Sequence, residues 1–296
     1  MSFQKEVKIR DDAFVRMRTM NGLVEFQYLE KRNTECPILV LNEKQYLVKA
    51  TGEVKDFDTS TENRADSYKS LRRTFKTLRY LINANFCSAS NELFVTLTYA
   101  KDRPCVDSEG AKVFLRDFKV FMKKIRKKYG QVEFINVVEP HADGHIHAHV
   151  LMKFIDYDSI FIANSELATI WGKGFVKVTN LKNVDNVGAY LSAYLSDVEV
   201  TEDSINDCLN ANETIKIKNA CGKKFIKGGR LKYYVKGFRI YRKSKGIKEP
   251  IFFDGKYSEL KKRAGITCQK PCYSKSYQFA IKDFSNLIVY EHFNLR

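Results

Sequence analysis

Hydrophobic and polar positions alternate in short runs along residues 1–60 (VEFQYL, PILVL, QYLVKA), the period expected of half-exposed strands joined by turns. From Thr61 the period changes. Tyr68, Leu71, Phe75, Leu78 and Ile82 recur at three- and four-residue steps, predicting an amphipathic helix whose other faces carry Lys69, Arg72, Arg73, Lys76 and Arg79. LFVTLTY (93–99) alternates and is rich in β-formers, predicting a strand. Phe114, Phe118, Phe121 and Ile125 mark a second helix that ends in KKIRKKYG, with Gly130 as its stop. QVEFINVVE and HIHAHVLMKF then read as two strands joined by the turn PHADG. Residues 159–171 are expected to be helical, FVKV a strand, and 184–197 a third amphipathic helix with Val184, Val187, Leu191 and Tyr194 on one side.

Charge divides the remainder. Residues 201–215 lie in an acidic, polar run expected to be a linker or loop, whereas Lys216–Lys248 holds thirteen Lys/Arg and no Asp or Glu. Phe225, Tyr233, Tyr234, Phe238 and Tyr241 are interleaved there, and cations for phosphates beside rings for bases are what single-strand binding needs. The candidate DNA contacts are Arg230, Lys232, Lys236, Arg239, Arg242, Lys243 and Lys245, with Tyr233 and Tyr241. The chain thus divides into a β-rich segment 1–60 without assignable chemistry, a domain 61–200, the linker 201–215 and a basic, aromatic-rich region 216–296. A net charge of +16 favours a polyanionic partner, and 44% hydrophobic residues exclude global disorder. No apolar run reaches the ~18 residues of a membrane span, and MSFQKEVKIRDD lacks an apolar signal core. Seven scattered cysteines suit a reducing compartment, so a cytoplasmic location without membrane attachment is expected. Cys268 and Cys272 are spaced like half a zinc site, but no second ligand pair has suitable spacing.

Four of the five histidines fall between residues 141 and 149. On a strand His145, His147 and His149 project to one side, and Glu139 precedes the turn on the neighbouring strand. A hairpin here would bring one carboxylate beside two imidazoles, a donor set suited to a catalytic divalent metal with positions open for substrate oxygens. His147, His149 and Glu139 are the expected ligands; His145 is the weakest candidate, and His141 reads as a solvated loop residue. In GAYLSAYLSD, Tyr190 and Tyr194 lie one helical turn apart. Alone such a pair is ordinary core filler. Near a cation, a phenolate becomes a nucleophile able to attack a phosphodiester; without such help, ionising a phenol of pKa ~10 at neutral pH costs roughly 4 kcal/mol.

These segments resemble the HUH endonuclease superfamily, in particular rolling-circle replication initiators (Rep proteins) of bacterial plasmids and phages. FVTLTY (Phe94–Tyr99) is similar to the first motif, His147-Ala148-His149 to the histidine motif with Glu139 where a third ligand often stands, and Tyr190–Tyr194 to the tyrosine motif YxxK or YxxKY. LRRTFKTLRYLINANF, WGKGFVKV and GFRIYRKSKGIKEP also resemble Gram-positive Reps, so the similarity spans about residues 65–250. Ala193 stands where the family has a Lys, and Lys182 or a lysine of the basic tract would have to supply that charge.

The resemblance implies an α+β fold with a central antiparallel sheet flanked by helices, Mg2+ or Mn2+ as cofactor, and nicking of single-stranded or hairpin origin DNA. Tyr190 would be the nucleophile, with Tyr194 a second one or a packing residue. The implied products are a 5′-phosphotyrosine and a free 3′-OH, later rejoined by strand transfer. No G-x4-G-K-[ST] run occurs, so a host helicase and a host polymerase are expected partners. A relaxase or transposase would share this chemistry. Two histidines and a carboxylate also describe non-haem Fe(II) oxygenases, and a non-catalytic DNA-binding regulator with a structural zinc is a third alternative.

Overall fold

A computed structural model describes residues 7–32, 36–57, 68–101, 103–140, 144–179, 187–188, 198–199, 217–220, 223–226, 234–235, 237–281 and 284–296. In chain order the elements are β1 (Phe14–Met20), β2 (Leu23–Leu29), β3 (Ile38–Val40), β4 (Gln45–Val48), β5 (Val54–Asp56), α1 (Tyr68–Asn85), β6 (Glu92–Leu97), α2 (Ser108–Tyr129), β7 (Val132–Pro140) and β8 (Ile146–Phe154). They continue with α3 (Asn164–Trp171), β9 (Val176–Thr179), β10 (Val198–Glu199), β11 (Ile217–Ala220), β12 (Lys223–Ile226), β13 (Tyr241–Lys243), β14 (Ile251–Lys256), α4 (Tyr257–Arg263), β15 (Tyr273–Ile281) and β16 (Phe284–Asn294). The architecture is α+β with antiparallel sheets and helices, as expected. None of the described helices is long and apolar enough to cross a membrane.

The chain forms two compact units that do not follow chain order: residues 61–249 make one, and 1–60 with 250–296 make the other. The first is built on an antiparallel sheet of order β13-β7-β8-β6-β9. Strand alternation sorts its side chains onto two faces. Phe134, Val138, Ala148, Val150, Met152 and Phe154 take one face, where Phe118 of α2 meets Phe134 edge-on at 5.1 Å between centroids. The apolar stripe of α2 is buried as its period requires (Phe114, Phe118, Phe121, Met122, Ile125). The helix begins at Asp107, whose side chain accepts from Gly110 N at 2.7 Å, and its C-cap is Gly130. On the other face Lys153 donates to the Asn85 carbonyl at the end of α1 and pairs with the buried Glu92 at 3.1 Å.

The helix expected over 159–171 begins only at Asn164. Ile160 N is taken by Ser90 O (3.0 Å) and Ala163 is extended at the N-cap, so the preceding residues are tied to a loop instead of forming a first turn. Among the described residues this unit also holds a small antiparallel sheet, β10-β12-β11.

The second unit is an antiparallel sheet of order β14-β1-β2-β16-β15, with β3-β4-β5 as a separate three-stranded sheet. Phe26, at its centre, meets Tyr257 of α4 and Phe293 of β16 edge-on at 5.0 and 5.8 Å. Arg16 grips Asp254 with both nitrogens (2.9 and 2.7 Å), and Arg32 reaches the same carboxylate at 3.3 Å.

Candidate metal centre

The β7–β8 register sets Glu139 opposite His147 and Val137 opposite His149. Directly opposed residues of an antiparallel pair share a face, so one carboxylate and two imidazoles meet on the face away from α2. Their ligand atoms all lie within 4.8 Å of one another. Glu139 is 4% exposed, while both histidines are partly open to solvent. The rings of His147 and His149 stand 4.8 Å apart, and His149 Nε2 is hydrogen bonded to Glu139 Oε2.

The neighbouring strand orients His149. Thr96 of β6 lies opposite it, and Thr96 Oγ1 is 3.2 Å from His149 Nδ1. Phe94, two residues back on the same face, stacks on the imidazole at 5.4 Å. A partner on the distal ring nitrogen fixes which nitrogen faces a metal, the usual support of a histidine ligand. Sequence reasoning gave Thr96 and Phe94 no role. The available signal was the alternation in FVTLTY, which sends residues 94, 96 and 98 to one side.

The donor set fits a divalent cation. At bond lengths near 2.0–2.2 Å, two ligands of one ion are at most about 4 Å apart, so side-chain rotation alone closes the group. The carboxylate suits hard ions and the imidazoles borderline ones, a mixture compatible with Mn2+ as well as Mg2+. His145 lies outside this group: it precedes β8 and bridges to Cys105. His141 lies outside the described residues.

Tyr190, Tyr194, Ala193 and Lys182 also lie outside the described residues, as does the linker 201–215. The two described residues just before the tyrosines are informative. Val187 is buried, and Gly188 N donates to Asn83 Oδ1 of α1 at 2.8 Å. A Cβ on Gly188 would come within 2.5 Å of Arg79 O, so only glycine permits this approach.

Among the described tyrosines of this unit, Tyr99 is the reverse of an activated nucleophile. Burial first, then Asp117, pushes its phenol far up. Tyr241, in register with Val137 and so on the metal face, is raised by burial and by Glu249.

The expected DNA contacts divide similarly. Arg230, Lys232, Tyr233 and Lys236 lie outside the described residues. Arg239 and Lys245 are exposed; Lys243 is paired with Glu249. Arg242, half-buried, is lowered by burial and by Arg239, and donates to the Arg239 carbonyl at 3.2 Å. Cys268 and Cys272 are exposed and free, and neither belongs to a cluster of potential metal ligands among the described residues.

No curated protein matches the chain. A family model described as a replication-associated protein of the ORF2 type matches residues 92–199, from β6 through the histidine strand and past both tyrosines. Over that span the chain is similar to replication-associated proteins, consistent with a Rep-type replication initiator.

Proposed function

We propose that this protein is a rolling-circle replication initiator that nicks one strand of its origin by tyrosine attack. The observation that carries the reading is the convergence of Glu139, His147 and His149 on one sheet face, inside the span similar to replication-associated proteins. It is supported by the basic balance of the chain and by Gly188, whose anchoring on α1 leads directly into the tyrosine segment.

Glu139, His147 and His149 hold Mg2+ or Mn2+, with Thr96 keeping the His149 ring in place. A bound divalent cation supplies Lewis-acid polarisation of a phosphate oxygen and electrostatic stabilisation of the charge that builds there. The Tyr190 oxygen forms a bond to phosphorus, the bond from phosphorus to the 3′-oxygen breaks, and the proton released by the phenol ends on that 3′-oxygen. The products are a 5′-phosphotyrosine and a 3′-OH that a polymerase extends. One phosphoester is exchanged for another, so attack by a 3′-OH on the phosphotyrosine later reseals the strand. Exposed cations of the basic tract, Arg239 and Lys245 among them, hold flanking phosphates.

The test is a denaturing gel of the protein with Mn2+ and a labelled single-stranded oligonucleotide spanning the cognate origin. The expected result is a protein–DNA adduct that chelator and Tyr190→Phe both abolish. An adduct of undiminished yield in Tyr190→Phe moves the nucleophile to Tyr194 or elsewhere, and no adduct with the wild-type protein ends the reading.

A further inference from the structure

The metal face of the sheet continues past the triad to its edge strand. β9 pairs with β6 so that Lys177 lies opposite Thr96, which lies opposite His149. Lys177, Thr96, His149, Val137 and Tyr241 therefore form one row across β9, β6, β8, β7 and β13, all on the same face. One step along β9, the Phe175 carbonyl accepts from Thr98 N and Thr98 Oγ1 (3.0 and 2.8 Å), prolonging the ladder. Val176, between them, is 1% exposed on the opposite face, so Phe175 and Lys177 both point to the metal side. Phe175 is 63% exposed. Lys177 is exposed and has no ion pair or side-chain hydrogen bond among the described residues.

The turn carrying these two side chains is anchored. Trp171, buried, donates from Nε1 to Thr98 O at 2.8 Å, and Ala100 N donates to Lys173 O at 2.9 Å. A Cβ on Gly174 would sit 2.5 Å from Ala100 N and 2.7 Å from Thr98 O. The backbone is pressed onto the end of β6, and an aromatic ring and a lysine stand out from it.

The geometry points to a subsite for single-stranded DNA on β9, in which Phe175 stacks on a base and Lys177 holds a phosphate beside the metal triad. Two strand spacings, about 10 Å, separate β9 from the histidine strand, within reach of the nucleotides flanking the scissile phosphate. Stacking on an exposed ring requires unpaired bases, so the subsite selects single strands over duplex. An uncompensated lysine beside the ring favours a polyanion over an apolar protein partner. The subsite deepens the nickase reading and rests on it for its substrate class.

The test is fluorescence anisotropy of a fluorescein-labelled, mixed-sequence single-stranded DNA oligonucleotide titrated with the full chain across a salt series, alongside Mn2+ titrations. Phe175→Ala is expected to weaken binding ~5- to 100-fold, the usual worth of one stacked base, whereas Phe175→Trp retains it. Lys177→Gln is expected to flatten the slope of log affinity against log salt by about 0.7, one phosphate contact. All three variants should keep wild-type Mn2+ affinity. Wild-type affinity in Phe175→Ala, an unchanged slope in Lys177→Gln, loss of Mn2+ affinity in step with DNA affinity, or no binding by the wild-type protein each overturns the subsite. Phe175-dependent binding without a covalent adduct sinks the nickase reading alone; an adduct whose formation and DNA affinity ignore Phe175 sinks the subsite alone.

Discussion

Glu139, His147 and His149 meet because three residue-level conditions coincide: opposite positions in the register, a half-open face, and a hydroxyl behind one ring. The hydroxyl gives the sharpest test. Thr96→Val keeps the β-branched shape but removes the partner of His149 Nδ1, and losses of such an outer hydrogen bond cost about 10- to 100-fold in metal affinity. Calorimetric titration with Mn2+ should show that loss without a change in melting temperature. On the other face, Asn136 is fully buried and neither side-chain amide atom has a hydrogen-bond partner among the described residues. A buried amide left unpaired costs about 1–3 kcal/mol, so Asn136→Val should raise the melting temperature. A marked fall would reveal a partner that the amide satisfies.

At the scale of elements, α2 and α1 do different work. α2 buries an unbroken aromatic stripe against the sheet, and Phe114, 0% exposed, sits within it. Phe114→Ala should cost about 3–5 kcal/mol, the usual cost of deleting a buried aromatic ring, measured by denaturant unfolding. α1 instead carries the anchor for the segment leading to the tyrosines. Gly188→Ala must displace the Arg79 carbonyl or the Asn83 side chain. It should lower adduct formation in the origin assay while leaving Mn2+ affinity unchanged, because no triad ligand moves. Equal loss of both would mean that the triad itself depends on this contact.

Across the whole molecule, the clearest pH dependence belongs to the unit formed by the chain ends. Hydrogen bonds from Arg16, followed by the charges of Arg16 and Arg32, hold the Asp254 carboxyl below the usual carboxylate range. A depressed folded-state pKa stabilises above the unfolded value of about 4 and is lost as pH falls through the folded value. Acid melting of the wild-type protein should therefore steepen below about pH 4, and Asp254→Asn should remove that component. At neutral pH the substitution should cost no more than about 1 kcal/mol, since the partners are roughly one-third exposed. A variant with the same acid profile as wild type would show that Asp254 is not responsible.

Local periodicity made much of this protein legible. The three- and four-residue spacing of Tyr68–Ile82 and Phe114–Ile125 announces α1 and α2, and the alternation in FINVVE and HIHAHV announces β7, β8 and the shared side of His147 and His149, because side-chain direction within an element depends only on its backbone repeat. Glu139 was legible for the same reason, being one short turn away. Thr96 and Phe94 acquire their roles only when β6 lies beside β8, and Phe175 and Lys177 only when β9 lies beside β6. The pairing of β1 and β2 with β14 and β16 joins residues more than two hundred positions apart. No repeat within a strand encodes its distant neighbour; that choice is made by burial and backbone pairing summed over the whole chain, and tertiary structure alone decides it.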